Sequence, residues 1–125
     1  MSGSSTDDGV ERLARLCADP DGRAETLRAL QPEGVTLERQ RAVFGALGNE
    51  DRIRLLHALR DGEKCTCELQ VVLDAPQSTV ATHLRRLRDA GLVERRRSGK
   101  WSYYRLADGA VIDLLDLAAV LEGSA

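Results

Sequence analysis

A chain of 125 residues with 42% apolar side chains and only 3% aromatics is long enough for one packed domain and too apolar for wholesale disorder. Leu, Val and Ala must supply most of its core. No run nears the roughly 20 apolar residues of a membrane span, and the opening "MSGSSTDDGV" has neither the basic nor the apolar region of a secretory signal. The expectation is a cytoplasmic protein with no membrane partner, residues 1–9 forming a disordered tail. Three cysteines, Cys17, Cys65 and Cys67, are too few for a disulfide framework, and in a reducing compartment such thiols bind metal or sense redox state.

In chain order, "VERLARLC" places Val10, Leu13, Ala14 and Cys17 at helical spacing and predicts a short helix ending before Pro20. "GRAETLRAL" predicts a second, closed by Pro32 and Gly34. These two make a helical extension over 10–35. A third helix is expected from Thr36 as N-cap, with Leu37, Val43, Phe44 and Leu47 as its apolar stripe. "GNEDRIRLLHALRDG" predicts a fourth, capped by Asn49, acidic at its start and stopped by Gly62.

"CTCELQVVLD", the breaker "DAPQ" and "STVATHLRRLRDAG" then read as helix, turn, helix, with Val80, Leu84 and Leu87 inward. In "LVERRRSGKWSYYRL" the period changes to that of a β-hairpin turning at Ser98-Gly99-Lys100. "DGAVIDLLDLAAVLEG" closes the chain as a helix with Val111, Leu114, Leu115, Ala118 and Leu121 on one face. The fold class is mainly α with a β-hairpin wing: a winged helix-turn-helix over residues 36–125.

The net charge of −2 conceals a partition. Residues 78–105 carry eight Lys or Arg against Asp89 and Glu94, whereas 106–125 carry four acids and no base. A basic segment that coincides with this architecture points to double-stranded DNA. Gln77, Ser78, Thr79, Thr82 and His83 would face base edges in the major groove. Arg85, Arg86 and Arg88 would meet phosphates, and the wing would present Arg95, Arg96, Arg97 and Lys100 to the flanking backbone. No Gly-rich phosphate loop, HExxH or nucleophile motif supports an enzyme.

"ALGNEDRIRLLHALRDGEKCTCEL" and "STVATHLRRLRDAGLVERRRSGKWSYYRL" resemble the ArsR/SmtB family of metal-sensing repressors over residues 42–106. The resemblance implies a homodimer formed through the N- and C-terminal helices, which leaves its operator when a metal or metalloid binds. It also implies that Cys65 and Cys67 match the cysteines of the family's arsenic-sensing and cadmium- or lead-sensing members. The inducer expected is then As(III) or Sb(III), with Cd(II), Pb(II) or Zn(II) as alternatives, and no obligatory cofactor. Cys17 is either a third sulfur for that ion or a buried small hydrophobe. A thiol redox or persulfide sensor on the same scaffold stays open.

Thiolates at a helix N-terminus are favoured by its unpaired amides, which would lower the pKa of the pair. Side chains two apart in a regular helix diverge by about 200°. Gripping one ion with both sulfurs should therefore distort the first turn of the helix supporting the DNA reader.

Overall fold

The computed structural model describes residues 2–123. The chain divides into two compact units, Met1–Leu37 and Glu38–Ala125. The first holds α1 (Ser2–Leu13) and α2 (Pro20–Arg28). Helical backbone begins at Ser2, inside the stretch expected to be a tail. The four-residue spacing of Asp8 and Arg12, whose side chains lie 3.5 Å apart, supports its continuation on the N-terminal side of Val10. Cys17 falls just past the helix, its thiol donating to the Leu13 carbonyl at 3.3 Å. Pro20, expected as a stop, opens α2 instead: it sits at the first helical position while Asp19 caps the Gly22 amide, an arrangement in which the missing N–H costs nothing.

α3 (Gly34–Leu47) starts two residues before Thr36, which is therefore inside the helix and not its cap. α4 (Glu50–Ala58) is capped as expected, the Asn49 carboxamide accepting from the Arg52 amide at 3.0 Å. Gly62 then adopts φ +134, a conformation open to glycine and strained for other residues.

A two-residue strand follows that the sequence did not disclose: β1 (Lys64–Cys65) pairs antiparallel with β3 (Trp101–Leu106), which pairs on its other edge with β2 (Val93–Ser98). The β2–β3 hairpin turns through Gly99 at φ +61 with Lys100 at negative φ, the φ pattern of a type II′ turn. Between β1 and the hairpin lie α5 (Thr66–Leu73) and α6 (Gln77–Asp89). Asp74 in the left-handed region ends α5, and Pro76 in extended conformation opens α6. α7 (Ala110–Val120) closes the fold, with Asp108 accepting from the Ala110 amide at 2.8 Å.

One core unites α3–α7 and the sheet within the second unit. Leu55, Leu56, Leu69, Val80, Leu84 and Leu87 are fully buried, joined by Ala46, Tyr104, Val111 and Leu115. The expected inward stripe of α6 is the observed one. The expected faces of α3 and the closing helix are only partly covered: Leu37 is 53% exposed, Phe44 63% and Leu121 80%. Among the described residues no helix is long and apolar enough to cross a membrane. Truncating Leu56 to Ala, which empties a fully enclosed position, should cost about 2–5 kcal/mol in urea unfolding followed by circular dichroism, whereas Val71→Ala, at an exposed position of α5, should cost under about 1 kcal/mol.

Candidate nucleic-acid interface and thiol pair

α6 separates its two faces cleanly. Val80, Leu84 and Leu87 go to the core, while Gln77, Ser78, Thr79, Thr82, Arg85, Arg86 and Arg88 are exposed. The Thr82 hydroxyl donates to the Ser78 carbonyl at 2.9 Å, so what it offers outward is its lone pairs and its methyl group. His83 does not belong to this face. Its side chain is 15% exposed, with Nδ1 3.5 Å from an Arg52 nitrogen and Nε2 3.9 Å from Asp51. The sequence put it among base-reading residues because helical spacing from Thr79 allows that side. The start of α4 claims it instead.

The basic residues of the wing also divide. β2 and β3 residues opposite one another share a sheet face, so Arg95 and Arg97 lie with Tyr104 and Ser102, and Glu94 and Arg96 with Arg105 and Tyr103. On the second face the cations are matched. Arg96 makes a two-pronged pair with Glu63 at 2.7 and 3.1 Å and lies 4.6 Å over the Tyr103 ring, and Arg105 pairs with Glu94 at 3.1 Å. The Arg96 hydrogen bonds hold the Glu63 carboxyl below the usual carboxylate range and raise the guanidinium in turn. Arg96, expected at the DNA, is thus bound to the loop before β1. Glu63 lies 33 residues from it, and only the pairing of β1 with β3 brings the two together. Arg85, Arg88, Arg95, Arg97 and Lys100 form no ion pair among the described residues.

Cys65 and Cys67 are brought together. Cys65 is the N-cap of α5, with extended backbone at φ −81 and ψ 164. It is also the last residue of β1, opposite Tyr103. From that position its side chain folds over the first turn, and the two sulfurs stand 2.6 Å apart. The 200° divergence expected of a regular helix does not arise, because one of the two residues is not helical. No unwinding is needed for both sulfurs to face a common partner. A tetrahedral ion with sulfur bonds of about 2.3 Å spans about 3.7 Å between sulfurs, wider than the 2.6 Å here, so an ion seated on the pair must part the sulfurs.

A capping box holds Cys65 in place. Its amide donates to the Glu68 carboxylate at 2.9 Å, and its sulfur takes the Glu68 backbone N–H. The neighbouring Cys67 thiol raises the Cys65 pKa above the ordinary thiol value, burial adding to this. The Glu68 N–H opposes it without prevailing. The helix-end effect expected to lower the pKa is present and outweighed, since the hydrogen bond between the Cys65 thiol and the Cys67 sulfur favours the protonated form.

Cys67 shares a cavity of about 170 Å³ with Gln70, Gln77 and the wing residues Lys100, Trp101 and Ser102. The Thr66 hydroxyl reaches the Ser102 carbonyl at 3.4 Å. The thiols therefore sit where the first helix of the helix-turn-helix, the start of the second and the wing meet. Among the described residues no group of three or more His, Cys, Asp or Glu is arranged to hold a metal ion. The pair supplies two soft donors and Cys17 belongs to the other unit.

Comparison with known proteins bears on this arrangement. A family described as "Bacterial regulatory protein, arsR family" matches residues 49–95, which contain both thiols, α6 and the start of the wing. A transcriptional repressor SmtB homolog of Synechocystis is 38% identical over 102 residues, 79% of this chain and 77% of that one. The arsenic resistance transcriptional regulator ArsR1 of Pseudomonas putida is 45% identical over 65 residues, 51% of each chain. Among solved structures, a homodimeric winged helix-turn-helix DNA-binding domain from Mycobacterium bovis aligns with a TM-score of 0.65 at 32% identity, covering 72% of this chain and 85% of that one. These relatives are transcriptional regulators by name.

Two outcomes follow from the geometry. In a Cys17→Ser background, Cys67→Ala removes the hydrogen-bonding partner that chiefly raises the Cys65 pKa, so the thiolate absorbance of Cys65 should appear at lower pH than in the parent pair. On DNA, Arg97→Ala should lower the slope of log affinity against log salt by roughly one, and Arg96→Ala, already matched by Glu63, should change it by less than about half as much.

Proposed function

Because this chain belongs to the arsR family of bacterial regulatory proteins, we propose that it is a homodimeric repressor that releases its operator when Cys65 and Cys67 bind a thiophilic metal or metalloid. Arsenite or antimonite is the favoured inducer, and the reducing cytoplasm its place of work. The observation that carries this reading is the pair of sulfurs facing each other at the joint between α5 and β3. Sulfur donors suit soft ions. A trivalent arsenic centre takes three bonds, and Cys17, from the same or the partner subunit, is the candidate for the third.

In this reading, Gln77, Ser78, Thr79 and Thr82 contact base edges, while Arg85, Arg86, Arg97 and Lys100 hold phosphates. Residues 36–125 are the DNA-binding and dimerisation domain, and 10–35 an extension that carries Cys17. A second copy covers Phe44, Leu117 and Leu121, whose exposure is otherwise costly for large apolar groups in contiguous patches. An apolar cavity of about 410 Å³ lined by Phe44, Leu47, Ile53 and Leu114, among others, continues that surface.

Release follows from where the thiols are attached. Cys65 moves with β1 and hence with β3 of the wing; Cys67 moves with α5, against which α6 packs. Parting the two sulfurs to seat one ion between them changes the angle between wing and reading helix without melting either. The ion then has different affinity for the two arrangements, as any effector must. A typical coupling of about 1–3 kcal/mol weakens operator binding by roughly 5- to 150-fold.

The competing reading, a thiol redox or persulfide sensor, draws on the same proximity of sulfurs; operator release by oxidant and not by any ion would favour it. Cadmium or lead in place of arsenite would leave the mechanism intact. The direct test titrates reduced protein on its own promoter fragment with As(III), Sb(III), Cd(II), Pb(II) and Zn(II). Cys67→Ser should bind the fragment like the parent and stay bound when arsenite is added. A Cys65→Ser/Cys67→Ser protein that still let go as the parent does would remove the thiols from the mechanism.

A further inference from the structure

We infer that Arg52 is the positioning residue that sets the roll of the reading helix, acting through His83. This rests on the reading of α6 as the element that enters DNA. Arg52 is fixed at both ends. Its backbone amide is held by the Asn49 cap at 3.0 Å. Its guanidinium donates to the Ala46 carbonyl at 2.7 Å and the Gly45 carbonyl at 3.3 Å, closing the last turn of α3 where helix carbonyls lack partners. The remaining arm reaches His83 Nδ1 at 3.5 Å. Arginine is always a donor, so Nδ1 is the acceptor and the ring proton lies on Nε2, toward Asp51 at 3.9 Å.

α6 meets the core through Val80, Leu84 and Leu87, and apolar contact is non-directional. It resists separation of the helix from the core better than small rotations about the helix axis. The Arg52–His83 contact is directional. His83 follows Thr82 and lies one turn beyond Thr79, so a change of roll at His83 displaces both from base edges. The planar fork is needed because three acceptors in three directions are served at once, which an ammonium group on a flexible stem does not reproduce. Arg86 approaches from α6, its Nη2 3.6 Å from where a Cβ on Gly45 would stand. Burial and this second cation both lower the Arg52 pKa. Asp51 is engaged at its other oxygen by Arg54 at 3.0 Å.

The experiment uses full-length protein and a duplex that the parent selects from a random-sequence pool, with a scrambled duplex as the non-specific control. Arg52→Gln and His83→Leu should each weaken binding to the selected duplex by roughly 10-fold or more, the scale of a hydrogen bond to a charged group. Binding to the scrambled duplex and the salt slope should stay unchanged. The double variant should lose no more than the worse single one, since both remove one interaction. His83→Asn, which keeps an acceptor at the δ position, should recover most of the loss, and this comparison stands even if Arg52→Gln fails to fold. Multiplying losses, or equal losses on both duplexes, would overturn the inference while leaving α6 as the DNA reader. A parent that selects no sequence would end that reading and this inference together.

Discussion

The extended backbone of Cys65 is the constraint on which the rest of the site depends. One residue serves as the last position of β1, paired with Tyr103, and as the N-cap of α5, locked by Glu68. Were it helical, its sulfur would point away from Cys67. Because the chain turns there from strand to helix, the sulfurs meet, and they meet where β1, paired with the wing strand β3, passes into α5, against which α6 packs. In the proposed mechanism a chemical event at the pair acts on the angle between wing and helix. The helices themselves need not yield, which matters because packed helices with fully buried Leu69, Leu84 and Leu87 resist local melting.

Charge is partitioned by the same sheet. The wing has one face on which Arg96 and Arg105 are neutralised by Glu63 and Glu94, and another on which Arg95 and Arg97 have no acidic partner among the described residues. The paired face stiffens the wing and ties it to the loop before β1; the unpaired face leaves cations available to an anion. The pair between Arg60 of α4's end and Asp116 of α7, at 2.9 Å, keeps part of the acidic tail occupied away from the basic segment. A net charge near zero thus conceals a surface suited to a polyanion.

Polar contacts at the α3–α4 corner complement the apolar core. The core decides that α6 lies against α4 and α5, and the Arg52 fork ties α3, α4 and α6 at one point. Two of its three acceptors are main-chain carbonyls, so the side chain replaces hydrogen bonds that the helix end lost. The tie is therefore part of the fold as well as a brace for the helix surface.

Periodicity and breakers determined a great deal: α4, the helix-turn-helix with its inward Val80, Leu84 and Leu87, the hairpin about Gly99, and the basic character of residues 78–105. These follow from local chemistry, in which side-chain spacing, a capping Asn and a turning Gly act within a few residues. What only the tertiary structure decided depends on residues far apart in the chain. β1 exists because β3 offers it an edge, and without β1 nothing in "KCTC" says that Cys65 is extended. Arg96 looks free until Glu63, 33 positions away, is placed beside it, and His83 looks exposed until Arg52 and Asp51 arrive. The sequence states which groups are present; pairing across the sheet and packing between helices state which of them are still unoccupied, because a charge or a lone pair engaged by a distant partner leaves no local trace.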